Sequence, residues 1–221
     1  MSPANIWIKI CGNTVLEDAL LASDAGADAV GFVFAPSPRR VTPEQVALIT
    51  PHLPATLEKI GVFVDASFEK IEATVLGSGL TGVQLHFDAA PALPAKLRAR
   101  FGPALRILQV IHFGDRDSET TAAPMPDPNV DAILIDTRTA TAVGGTGQSF
   151  DWALASKTLF QSAERFKLVA AGGLSPENVA EAITTLHPWG VDVVSGVEAS
   201  PGRKEPAKVQ AFIANAKAAA Q

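Results

Sequence analysis

The sequence predicts one (β/α)8 barrel over residues 1–221, with an irregular or missing fifth helix. Two observations carry that reading. Eight short apolar runs rich in Val and Ile recur, and their starts fall 23, 30, 23, 24, 26, 36 and 23 residues apart, close to one strand, one helix and two loops. Most of the segments between them show helical periodicity, so parallel strands alternate with helices that cover them. A doubly wound open sheet ranks second, because no glycine-rich dinucleotide fingerprint follows the first run and eight open strands would leave exposed edges.

The runs are "IWIKIC" from residue 6, "AVGFVF" from 29, "KIGVFV" from 59, "GVQLH" from 82, "RILQVI" from 106, "AILID" from 132, "LVAAG" from 168 and "VDVVSG" from 191. After the first, "TVLEDALLASDAG" sets Leu16, Ala19, Leu20 and Ala22 at helical spacing and ends in Gly26. After the seventh, "SPENVAEAITTLH" offers Ser175 as N-cap, Pro176 at the first helical position and Val179, Ala182, Ile183 and Leu186 as the apolar face. "EPAKVQAFIANAKAAA" repeats the style at the C-terminus. The fifth unit breaks the cadence: "GDRDSETTAAPMPDPNV" is too polar and proline-rich for a regular helix.

Period-two alternation assigns the faces. Ile6, Ile8 and Ile10 turn toward the helices, leaving Trp7, Lys9 and Cys11 toward the barrel axis with Cys11 nearest the C-terminal mouth. In the sixth run Ile133 and Ile135 face out and Leu134 and Asp136 face in. An inward carboxylate at a strand end is costly unless paired or used.

Composition excludes several functions. The 221 residues are 47% hydrophobic and 19% charged, with mean hydropathy +0.20 and net charge −5, which suits a globular protein and argues against nucleic-acid binding through a basic face. A single cysteine precludes internal disulfides and favours the cytosol. His52, His86, His112 and His187 lack the spacing of a helical metal site, so no metal is expected. No apolar stretch approaches the roughly 20 residues of a membrane span. Without an extra helix or apolar extension to mark an interface, the expected state is a monomer.

Barrel chemistry gathers where strands end. Gly172 and Gly173 precede one helix, and Ser195 and Gly196 precede a short segment. Glycine lets backbone N–H groups approach an anion, and the seventh and eighth loops are the recurrent phosphate location of barrels. A phosphorylated small substrate follows. Strands one and six lie three steps apart in a ring of eight, so Cys11 and Asp136 face each other as an acid and a base would. The alternatives are a small buried cysteine and an aspartate that pairs with Lys9 or bonds the next loop; Lys9 can instead favour a thiolate or be neutralised by Asp192. Arg39 or Arg40 is placed to fork onto a substrate carboxylate, or is simply solvated. His86 is either a pocket partner or a core imidazole, and Asp65 either a mouth carboxylate or a turn residue.

Taken together, "KICG", "GFVF…SPRRV", "GVFV", "VQLH", "ILIDT…GGTGQSFDW", "AGGLSPENV" and "VDVVSGVEASPGRKE" resemble the phosphoribosylanthranilate isomerase family, in order and over essentially the whole chain. The resemblance implies a cofactor-free Amadori rearrangement of N-(5-phosphoribosyl)anthranilate in tryptophan biosynthesis. It implies that the cysteine of "KICG", Cys11, is the general base and the aspartate of "ILIDT", Asp136, the general acid. The arginine of S-x-R-x-[VI], here Arg39, would hold the anthranilate carboxylate. One departure is Phe87, where the family usually carries glycine after "QLH". Two other functions are weighed. A related aminoaldose phosphate isomerase of histidine biosynthesis would be expected to carry aspartates at strands one and five, where this chain has Cys11 and the His112 region. A non-catalytic phosphate-ligand sensor would have no need for an inward thiol and carboxylate.

Overall fold

The computed structural model describes residues 6–86, 90, 92–112, 127–136 and 166–221. Its eight strands are β1 (Trp7–Ile10), β2 (Ala29–Val33), β3 (Glu58–Phe63), β4 (Gly82–Leu85), β5 (Arg106–His112), β6 (Ala132–Asp136), β7 (Leu168–Ala171) and β8 (Gly190–Val193). They pair in parallel in chain order, and β1 closes on β8 with Lys9 beside Asp192. All eight apolar runs are therefore strands of a closed barrel.

The helices described are α1 (Leu16–Asp24), α2 (Pro43–Ile49), α3 (Phe68–Ser78), α4 (Ala92–Phe101), α5 (Val179–Leu186) and α6 (Pro206–Ala219). Local chemistry sets their starts. Thr42 and Gln45 form a reciprocal capping box on α2, Ser67 accepts from the Lys70 N–H on α3, and Pro206 opens α6. Between α5 and α6, β9 (Glu198–Ser200) and β10 (Arg203–Lys204) form an antiparallel hairpin. The polar stretch expected to lack a fifth helix lies almost wholly outside the described residues, as does the "TRTATAVGGTGQSF" loop.

One boundary departs from expectation. The regular helix begins at Val179 rather than at Pro176, yet Ser175 still caps the turn that leads into it: its Oγ accepts from the Glu177 N–H at 3.3 Å, and its carbonyl accepts from the N–H groups of Asn178 and Val179. Asn178 Oδ1 accepts in return from the Ser175 N–H at 2.8 Å, so the two side chains cap reciprocally, as in a capping box.

Alternation separates two cores. Ile6, Ile8, Ile10, Ile133 and Ile135 pack in the outer layer with Ala19, Val46, Ile71, Val179 and Phe212 from the helices. Trp7, Ala29, Ile60, Leu108, Leu134 and Val169 fill the barrel interior. Above that apolar plug lies Lys9, fully buried, its ammonium donating to Asp192 Oδ1 and Gln84 Oε1 at 2.8 Å each. Burial by itself would lower the Lys9 ammonium, but Asp192 and Cys11 beside it more than offset this and raise it. Among the described residues no helix is long and apolar enough to cross a membrane.

Breaking a buried pair from one side strands the other charge, a loss of about 3–5 kcal/mol. Lys9→Met, which keeps the volume and removes the charge, should therefore lower the urea-unfolding free energy by about that amount. A loss well under ~1 kcal/mol would show that Asp192 needs no internal cation.

Candidate active site

A cavity of about 280 Å³ opens at the C-terminal mouth, and Cys11, Arg39, His86, Asp136, Gly172, Gly173 and Ser195 all line it. Seven of the eight residues singled out from the sequence thus meet in one place. The exception is Gly196, which packs its Cα against the Leu174 carbonyl with no room for a side chain and lies beneath the cavity wall. Of the two loop arginines, Arg39 lines the cavity, while Arg40 is exposed and is not among the lining residues.

Cys11 follows β1 directly, and its N–H donates to Val193 O at 2.8 Å, extending the β1–β8 ladder by one residue. The side chain is 3% exposed and packs over Gly31 of β2 so closely that a Cβ there would overlap the sulfur. Burial is the main influence on the thiol and pushes its pKa up; Lys9 counters it, Asp192 adds to the rise and Lys204 counters it again, leaving the thiol above its ordinary value. The expectation that Lys9 favours the thiolate thus holds in sign, but burial outweighs it.

Lys9 does not pair with Asp136, since its partners are Asp192 and Gln84. That choice has a consequence. An ammonium only donates, so it fixes the Gln84 carbonyl toward itself and the amide NH2 toward His86 Nδ1, 3.3 Å away. An amide nitrogen also only donates, so Nδ1 accepts and the ring proton sits on Nε2. His86 Nε2 stands 3.9 Å from Asp136 Oδ2. His86 lines the cavity and is therefore a pocket residue rather than a core imidazole, hydrogen-bonded through Gln84 to Lys9 and close to Asp136.

At the far wall Gly172 (φ 85°) and Gly173 (φ 70°) turn the chain through left-handed conformations, which glycine alone takes without strain. Ser195 opens a 3-10 turn, Ser195–Val197. Gly172, Gly173 and Ser195 all line the cavity. Asp65, with φ 53°, is exposed and serves a turn.

Sequence reasoning missed Glu198 and Lys204. Arg39 donates from Nε to Glu198 Oε1 at 2.7 Å and from Nη2 to Oε2 at 2.6 Å, a bidentate fork. Lys204 Nζ reaches Cys11 O at 2.6 Å, Val194 O at 3.3 Å and Glu198 Oε1 at 3.4 Å. An acid and a base inside "GVEASPGRKE" gave the only hint, and no barrel strand carries them. Among the described residues no three His, Cys, Asp or Glu side chains are grouped to hold a metal ion.

Comparison with known proteins places this geometry. Residues 8–215 match the family model of N-(5'phosphoribosyl)anthranilate (PRA) isomerase. The isomerases of that name from Pelobacter propionicus and Geobacter sp. strain M21 are 47% and 45% identical to the chain, covering 96% and 95% of it and 96% and 97% of their own lengths. The phosphoribosyl anthranilate isomerase of Thermotoga maritima superposes with a TM-score of 0.83 at 40% identity, covering 97% of this chain and 100% of that one. A further solved relative, at TM-score 0.80 and 38% identity over 97% of this chain and 100% of its own, holds reduced 1-(o-carboxyphenylamino)-1-deoxyribulose 5-phosphate. The chain belongs to the N-(5'-phosphoribosyl)anthranilate isomerase family.

Proposed function

We infer that the chain catalyses the Amadori rearrangement of N-(5'-phosphoribosyl)anthranilate to 1-(2-carboxyphenylamino)-1-deoxyribulose 5-phosphate, a step of tryptophan biosynthesis. It is an aldose–ketose isomerase of the cytosol, acting as one (β/α)8 domain over residues 1–221. The observation that carries the site assignment is the meeting of Cys11, Asp136, Arg39 and two glycine-rich loops around one cavity.

The two ends of the substrate have different partners. Backbone N–H groups near Gly172, Gly173, Ser195 and Gly196 take the phosphate, and Arg39 takes the anthranilate carboxylate. Held at both ends, the ribose lies between Cys11 and Asp136, and this positioning supplies part of the barrier reduction.

Asp136, protonated, gives its proton to the ring oxygen as the C1–O bond breaks and the nitrogen lone pair forms the iminium. His86 Nε2 stands 3.9 Å from this carboxyl group, within the same cavity. Cys11, as thiolate, then removes the C2 proton. The released electron pair forms C1=C2 and neutralises the iminium, giving an enolamine. That enolamine gains a proton at C1 and loses the C2 hydroxyl proton to become the ketone, so atoms and electrons balance without any oxidant. Lys9 and Lys204, two cations near the sulfur, oppose only part of the burial that disfavours the thiolate.

The function is tested by the decay of anthranilate-conjugate fluorescence when purified protein meets freshly made substrate. Wild type should consume it, and Asp136→Asn should lower turnover by about 10²- to 10⁴-fold. Absence of any decay with wild type would remove the isomerase reading in favour of a ligand sensor.

A raised thiol pKa makes the thiolate scarce near neutrality and commoner as pH rises. Alkylation of the free protein by iodoacetamide should therefore quicken continuously from about pH 7 to about pH 9. A plateau already reached near ~pH 7 would contradict the effect of burial. Gly31→Ala, whose new methyl group would displace the sulfur, should cut kcat by at least about tenfold while the protein stays folded by circular dichroism. Wild-type kcat in that variant would contradict a fixed thiol position.

A further inference from the structure

The β9–β10 hairpin lies outside the barrel, yet it delivers a buried carboxylate to the mouth. Glu198 and Lys204 are register partners across the hairpin, with side chains 4% and 0% exposed. Glu198 accepts from four donors: Arg39 Nε and Nη2, the Gly202 N–H at 3.1 Å and Lys204 Nζ.

Lys204 divides its three N–H groups among Glu198, Cys11 O and Val194 O. With all three committed it has none for a ligand. Its backbone N–H is taken as well, by Asp18 of α1, which also meets Arg203 at 3.3 Å. The lysine thus ties together the ends of β1 and β8, where the candidate base and one phosphate segment begin.

Arg39 differs from it. Glu198 occupies its side-on Nε–Nη2 edge, while the end-on edge formed by Nη1 and the second Nη2 hydrogen remains for another planar anion. Two cations, Arg39 and Lys204, share one carboxylate, so one positive charge is left over beside the cavity. That surplus matches one substrate carboxylate.

We propose that Glu198 is a positioning residue that sets specificity for a carboxylated aryl group: by locking one edge of Arg39 it aims the other at the substrate carboxylate. The proposal rests on the assignment of Arg39 made above. Glu198 touches no reacting atom and acts through Arg39 alone, with Lys204 holding Glu198 in place from the β1 side. An arginine freed from Glu198 would still carry its charge, but its fork would sample many orientations and lose the match to a planar carboxylate.

The test compares two substrates, N-(5'-phosphoribosyl)anthranilate and the same compound made from aniline, with product followed by chromatography. Wild type, Glu198→Gln and Arg39→Met are each assayed with both. Glu198→Gln should raise KM for the carboxylated substrate by about ten- to a hundredfold, leave KM for the aniline compound unchanged, and so collapse the preference between them. Arg39→Met should collapse it too. If Arg39→Met loses the preference but Glu198→Gln keeps it, the positioning role is wrong and the arginine assignment stands. If Arg39→Met keeps the preference, the arginine assignment fails and the proposal falls with it. Equal loss toward both substrates in Glu198→Gln would mark a purely structural carboxylate and overturn the proposal. Should Glu198→Gln not fold, the double variant Glu198→Gln/Lys204→Met removes one charge of each sign and reads the same preference.

Discussion

The ammonium of Lys9 is the interaction on which the site depends. A lysine with no exposure at the centre of a barrel requires an anion and further acceptors, and the β1–β8 register supplies Asp192 directly alongside. Satisfying that charge orders the floor of the cavity. It orients Gln84, which fixes the proton on His86, which faces Asp136. It also sets a cation near Cys11 without spending it on Asp136. The surroundings of both Cys11 and Asp136 are thus shaped by the way that one charge is satisfied.

A second buried network works from outside the barrel. Glu198, Arg39 and Lys204 form one cluster beside the ends of β1 and β8, and Arg39 brings its positive charge to the cavity lining. The cavity is thus lined both by a side-chain cation, Arg39, and by the glycine-containing segments after β7 and β8. In the proposed reading the first takes a carboxylate and the second a phosphate, so a substrate carrying both groups is held at two points.

Much of this was legible from residues alone. Eight apolar runs at near-constant spacing gave the closed barrel, and alternation put Lys9, Cys11 and Asp136 inside because a strand has only two faces. The choice between alternatives was not legible. Asp136 and Asp192 both turn inward, and only the β1–β8 register shows which of them meets Lys9. The cap at Ser175 is legible in the sequence, but the start of the regular helix is not: the reciprocal Ser175–Asn178 cap closes a turn first, and α5 begins at Val179. Glu198 and Lys204 escaped notice for a different reason. Their hairpin is too short to register as strands, and Glu198 meets an arginine 159 residues away in sequence. Periodicity reports on faces of elements and is silent about such long-range pairs.

The central claim is that the end of β1 carries the group that removes the C2 proton. Steady-state turnover of Cys11→Ala, measured beside its affinity for reduced 1-(o-carboxyphenylamino)-1-deoxyribulose 5-phosphate, tests it most directly. The account predicts turnover lower by about 10²- to 10⁴-fold with affinity for the product analogue close to wild type. Near wild-type turnover in that variant would contradict it, and would move the base to another group of the same cavity.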